Sequence, residues 1–229
     1  MSETKKPTAK KTAVKKRGAQ KREASGVPAA LSFWDRWAAA YRSMREDPRI
    51  QVVAPSRLAH SAANVRMLRL TLEELAEKSG SVTDALAPFA GDFFYTALYW
   101  LGPKDENGLH PFGGEVRLQG ASALLRPLEA APGWALFDDH PMAGDGVVTV
   151  IRPLDGGWQL GVLEHGSVEP LDLDVPGYMQ GLLDLRGAFG WQWLFVDDHR
   201  ARRTELSLLL DRVEEYFSTE TAAYRARIR

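Results

Sequence analysis

The chain has 229 residues, no cysteine, 29 basic and 30 acidic side chains, and a formal net charge of −1. Its 45% apolar content suits a folded protein and exceeds what a disordered chain carries. The lack of cysteine excludes a disulfide framework, a thiol nucleophile and a cysteine metal site, and no window approaches the roughly 18 consecutive apolar residues of a membrane-spanning helix.

The near-zero charge hides two opposite halves. Residues 1–26 carry nine cations, Lys5, Lys6, Lys10, Lys11, Lys15, Lys16, Arg17, Lys21 and Arg22, against Glu3 and Glu23, a net of +7. That leaves 20 basic and 28 acidic residues over 27–229, a net of −8. The lysine pairs recur every five residues, a spacing that suits neither helix nor strand, and Pro7 and Gly18 weaken a helix further. With almost nothing apolar to bury, 1–26 reads as a disordered tail attached to a single folded domain over 27–229. The basic start is not followed by an apolar stretch of about 7–15 residues, so it does not read as a secretory leader, and a cytoplasmic location is expected.

The domain opens with a helix in which Leu31, Trp34, Trp37, Ala38, Tyr41 and Met44 share a face and Pro48 ends the run. Ile50–Val53 and Val65–Leu70 read as short strands. Thr71 and Glu74 form a capping box for a short helix through Lys78, closed by Gly80, and a second short helix with Asp84, Leu86 and Phe89 follows Ser81. The apolar run Phe93–Leu101 is either a buried strand or a helix, because its periodicity favours neither.

From 102 to 172 glycine and proline punctuate short runs. Glu115–Leu118, Trp134–Phe137, Val147–Arg152, Trp158–Leu163 and Val168–Leu171 read as strands. Asp155, Gly156 and Gly157 mark one hairpin and His165-Gly166 the next, while Gly113-Gly114 reads as a simple turn. Helix then returns. Asp174 is the expected N-cap, Pro176 lies in the first turn, and Tyr178, Leu182, Leu183 and Leu185 form the apolar stripe. An apolar segment, Phe189–Val196, leads to a C-terminal helix from about Ala201 with Leu206, Leu209, Leu210, Val213 and Phe217 inward. The expected class is α+β, an antiparallel meander flanked by N- and C-terminal helices.

Known catalytic signatures are missing. There is no glycine-rich phosphate loop, HExxH, GxSxG or EF-hand pattern. Two similar triplets, Asp138-Asp139-His140 and Asp197-Asp198-His199, offer the ligand types of a Zn, Mn or Fe site. The simpler reading is that they are the polar ends of apolar elements, the first a turn before Pro141 and the second a set of helix caps, since neither offers helical i, i+4 ligand pairing. Asp138, Asp139 and Glu164 could be paired for acid–base work, but no motif selects them. No cofactor and no metal site is therefore assigned. Of the seven tryptophans, Trp158, Trp191 and Trp193 are the candidates for a binding surface, since large aromatics recur at interface hot spots. At least one of Trp191 and Trp193 is expected to be partly exposed, because the two diverge whether the segment is extended or helical.

The stretch Val147–Val196 carries a hairpin, then Tyr178, Leu182 and Leu183, then Arg186-Gly187 and Trp191-Gln192. This resembles the closing part of bacterial members of the SUKH superfamily, the group of Smi/Knr-type regulators and immunity proteins. The resemblance implies an α+β protein-binding module, in many bacterial members one that neutralises a cognate toxin, and it implies no catalytic residues. Three functions are carried forward. The first is a non-catalytic cytoplasmic module that binds another protein, such as a basic toxin, through its acidic domain. The second is a nucleic-acid-associated protein that uses the nine tail cations non-specifically, and the third is a metal-dependent enzyme built on the Asp-Asp-His loops.

Overall fold

The computed structural model describes residues 33–54, 97–119, 123, 126–144, 147–154, 157–198 and 200–228, and these fall within one compact unit, Leu31–Arg229. The Lys-rich tail, the strand expected at 65–70, both short helices expected between 71 and 89, and His199 lie outside the described residues.

Helix α1 (Phe33–Glu46) buries Phe33, Trp37, Ala40 and Met44, spaced by four, three and four. The buried line is turned slightly from the expected one, so that Ala38 and Tyr41 lie at its edge. Past the helix, Asp47 accepts hydrogen bonds from the Arg49 backbone N–H and guanidinium, which hold its carboxyl below the usual carboxylate range.

Two antiparallel sheets follow where one meander was expected. The first has the order β1 (Gln51–Ala54), β2 (Ala97–Leu101) and β3 (Gly113–Arg117). The ambiguous run 93–101 thus supplies a strand. Gly113 and Gly114 are strand residues, which corrects the turn assignment. A Cβ on Gly114 would stand 2.5 Å from the Gly187 carbonyl oxygen and 2.6 Å from Trp100 Nε1, so only glycine lets β3 approach that closely.

The second sheet orders β4 (Pro127–Leu128), β5 (Ala131–Asp138), β6 (Val148–Leu154), β7 (Gly157–Glu164) and β8 (Ser167–Pro170) as consecutive neighbours. Leu154 pairs with Gly157, and the β7–β8 turn places His165 and Gly166 at φ 50° and 82°, the left-handed pair of a tight hairpin. One face of this sheet packs Ala135, Phe137, Ile151, Leu160 and Val162 into the main core. The other carries a small cluster of Ala131, Trp134, Val150 and Leu163. Among the described residues the two sheets meet at a bridge between Leu118 and Asp138, flanked by the Gln119 N–H donating to the Phe137 carbonyl at 2.8 Å.

Helix α2 (Val175–Leu185) begins as the sequence indicates, with Asp174 Oδ1 accepting from the Gly177 N–H at 2.7 Å. It ends at Arg186 in the left-handed region (φ 55°), with Gly187 following at φ 64°. The Trp100 indole donates to the Arg186 carbonyl at 2.9 Å, and the Gly187 carbonyl accepts the Glu115 N–H at 3.0 Å, which fastens the end of α2 to the first sheet. A 3-10 helix (Trp191–Phe195), a 3-10 turn (Arg200–Arg202), α3 (Arg203–Phe217) and α4 (Ala222–Arg227) complete the unit. The cap of α3 is Arg202, not Asp197 or Asp198, because the 3-10 turn intervenes and leaves both aspartates exposed. Leu206, Leu210 and Val213 are buried as expected, while Leu209 and Phe217 are half-buried.

Candidate functional site

The first grouping of chemical interest is a buried polar cluster where the two sheets join. The β5–β6 register shifts between Leu136 and Asp138. This bulge turns Phe137 and Asp138 toward the same neighbour instead of to opposite faces. The Phe137 ring meets the Tyr178 ring edge-on with centroids 5.2 Å apart, and Asp138 Oδ2 accepts from the Tyr178 hydroxyl at 2.8 Å. Asp138 Oδ1 accepts from the Arg117 backbone N–H at 2.7 Å. Asp138 is fully buried, and burial is the main reason that its carboxyl is pushed up to about 6, with Asp139 adding to the rise and His140, Tyr178 and the Arg117 N–H opposing it. Tyr178 is held well above its ordinary value by burial, then by the Asp138 charge. Beyond Tyr178 the network reaches Thr149 at 2.9 Å and Gln192 at 3.5 Å from Thr149, all with no exposed surface.

Around this core the other candidates serve as braces. The Arg117 guanidinium forms a two-pronged pair with Asp139, which also accepts from Gln119 Nε2 at 3.0 Å. Glu115, buried on β3, accepts from the Met142 and Ala143 backbone N–H groups, and burial raises its carboxyl above the ordinary value. The turn 139–144 is thereby clamped from two sides. His140 is buried with its ring edge-on to Phe189 at 6.1 Å. The first Asp-Asp-His triplet is therefore interior, whereas Asp197 and Asp198 of the second are exposed. Among the described residues no group of three His, Cys, Asp or Glu side chains is placed to hold a metal ion.

The second grouping lies on the surface, around Trp193. Both Trp191 and Trp193 are buried, at 0% and 7% exposure, which corrects the expectation that one would be partly exposed. The 3-10 winding turns both inward. Trp191 packs so closely on α2 that a Cβ at Gly181 would stand 2.6 Å from its ring, and Trp193 is roofed by the Arg202 guanidinium at 4.0 Å. Arg202 is fixed there by donating to both oxygens of Glu164, at 2.9 and 2.6 Å. Trp158 is half-buried against the main core and is not part of this grouping.

Trp193 and Arg202 form a wall between two clefts. On one side a cleft of about 270 Å³ is mainly apolar, with Pro111, Phe112, Phe189 and Leu209 in its lining and Leu208 left 53% exposed at its edge. On the other, a cleft of about 340 Å³ gathers Glu164, Glu169 and Asp198 with Ser167 and Val196. An apolar hollow and an acidic one, side by side across a rigid cation–aromatic stack, make a surface that reads apolar anchors and cations at once. Sequence reasoning named Trp193 but missed Arg202, Leu208 and Glu169. These come from three separate elements and share no motif, and the exposed Leu208 beside inward Leu206, Leu209 and Leu210 was the one available signal.

Among the described residues no helix is long and apolar enough to cross a membrane. The chain matches no protein-family model, no curated protein and no solved structure.

Proposed function

We propose that the chain is a non-catalytic protein-binding module that takes a basic protein partner on the surface divided by Trp193 and Arg202. The observation that carries this reading is the pairing of an apolar cleft edged by exposed Leu208 with a cleft that presents the exposed carboxylates Glu169 and Asp198. The net charge of −8 over residues 27–229 complements a basic partner and would speed the encounter. The carboxylates open to acid–base work are engaged internally instead, Asp138 by Tyr178, Asp139 by Arg117 and Glu164 by Arg202. An immunity protein or regulator acting in the cytoplasm is the biological form this reading takes, following the resemblance over Val147–Val196, and a cysteine-free chain suits that reducing compartment.

The test is calorimetric titration of the full chain against the purified products of the genes adjacent to its own. One of them binds, and Leu208→Asp and Glu169→Lys each weaken that complex by about tenfold or more. Absence of binding to every neighbouring product, or binding that both variants leave unchanged, overturns the reading.

The nine tail cations support a second reading, association with nucleic acid through counterion release. Full-length chain should bind duplex DNA with a steep salt dependence that a chain starting at Val27 lacks, and equal, negligible binding by both ends that idea.

A further inference from the structure

Asp138 at the end of β5, Tyr178 on α2, Thr149 on β6 and Gln192 in the 3-10 helix form one buried hydrogen-bonded line. Each hydroxyl has a single proton, so the direction of one bond sets the direction of the next. When Asp138 is ionised it can only accept, and Tyr178 donates to it at 2.8 Å. With that proton engaged, the 2.9 Å contact between Tyr178 and Thr149 is filled by the Thr149 proton. Thr149 Oγ1 is then an acceptor, and Gln192 presents its Nε2 at 3.5 Å while also donating toward the Tyr178 hydroxyl. Gln192 Oε1 is left buried without a hydrogen-bond partner.

One proton reverses this order. A neutral Asp138 donates to Tyr178, Tyr178 donates to Thr149, and the Thr149 proton is directed at Gln192, whose Oε1 is the acceptor without a donor. We propose that Asp138 is a buried proton-binding site whose occupancy reverses the line and turns over the Gln192 amide between Trp191 and Trp193. The reversal takes one proton from solvent to form the Asp138 O–H, and no other covalent bond forms or breaks. The line runs inward from the junction of the two sheets to Gln192, the residue next in sequence to Trp193.

The groups facing Asp138 are compatible with such exchange. Strand β3 contributes Arg117, whose guanidinium is engaged by Asp139, and Glu115, held by two backbone N–H groups. The turn beyond β5 contributes Asp139, which favours the neutral form, and His140, which favours the ionised one. Helix α2 contributes Tyr178, while β6 and the 3-10 helix contribute the uncharged Thr149 and Gln192. Burial places the Asp138 carboxyl at about 6, so both states are reached near neutral pH.

The experiment is an NMR titration of the isotopically labelled full chain from about pH 4 to about pH 8, reading the Asp138 carboxyl carbon and the Gln192 side-chain amide. The Gln192 resonances should follow a one-proton curve with the Asp138 midpoint, and in Asp138→Asn they should stay at their acid-limit positions throughout. Tyr178→Phe removes the hydroxyl that links Asp138 to both Thr149 and Gln192, so Asp138 should still titrate while Gln192 no longer follows. Thr149→Val removes only the second step, so it should reduce the Gln192 response, and it is the variant read if Tyr178→Phe does not fold. Gln192 resonances that are flat in the wild type, or that still track Asp138 in the interrupted variant, overturn the proposal.

Discussion

Replacing Asp138 by Asn should stabilise the protein at neutral pH, an unusual outcome for a buried and fully bonded residue. Burial raises the folded-state carboxyl from the ordinary 3.8 to about 6. For an acid shifted upward, the folded state holds a proton that the unfolded state has released, so stability falls as pH rises from about 4 through about 6 and levels off above. Two pH units at about 1.4 kcal/mol each amount to about 3 kcal/mol held against the fold at pH 7. Asn keeps the shape, since its Oδ1 accepts the Arg117 N–H and its Nδ2 donates to the Tyr178 oxygen, but it carries no charge. The assay is urea denaturation of both proteins at intervals between about pH 4 and about pH 8. The difference between the two stability curves cancels the other titrating groups and isolates Asp138. It should be near zero at the acid end and grow to about 3 kcal/mol in favour of Asn at the neutral end. A difference that is flat with pH, or an Asn variant less stable at pH 7, would show that the buried carboxylate is not the cost the geometry makes it.

Substitutions at two further positions probe how the unit is fastened. Gly114→Ala drives a methyl into the Gly187 carbonyl and the Trp100 indole, which is itself bonded to Arg186. It should cost about 2–3 kcal/mol and lower Tm by about 5–10 °C in scanning calorimetry, and an unchanged Tm would mean that β3 and the end of α2 are not held as tightly as described. Asp174→Ala removes the acceptor for the Gly177 N–H and should cost about 1 kcal/mol in chemical denaturation, whereas Asp174→Asn, which keeps that acceptor, should be close to neutral.

The candidate sites were legible in the sequence only in part. Asp138, Asp139 and His140 stood out as a triplet of ligand types, yet the fold uses them as interior braces, because the bulge in β5 and the pairing of Arg117 with Asp139 turn them inward. Tyr178 read as one member of an apolar stripe. Its hydroxyl carries the network, and no helical periodicity distinguishes a buried tyrosine that bonds an aspartate 40 residues away from one that merely packs. Trp191 and Trp193 were visible as paired aromatics, but the 3-10 winding that buries both depends on α2 and the Arg202 roof.

What the sequence alone determined are the features written in neighbouring residues. Short apolar runs between glycine and proline gave the strands of the second sheet, and Asp174 and Pro176 set the start of α2. Caps and tight turns are decided within a few residues, so local chemistry suffices for them. Only the tertiary structure decided where the meander divides into two sheets, which carboxylate lies at their junction, and which residues wall the clefts. Those outcomes rest on pairings such as Glu115 with Gly187 and Glu164 with Arg202, whose partners lie far apart along the chain. A one-residue bulge re-aims a side chain without leaving any mark on the hydrophobic period, and packing alone selects where it falls.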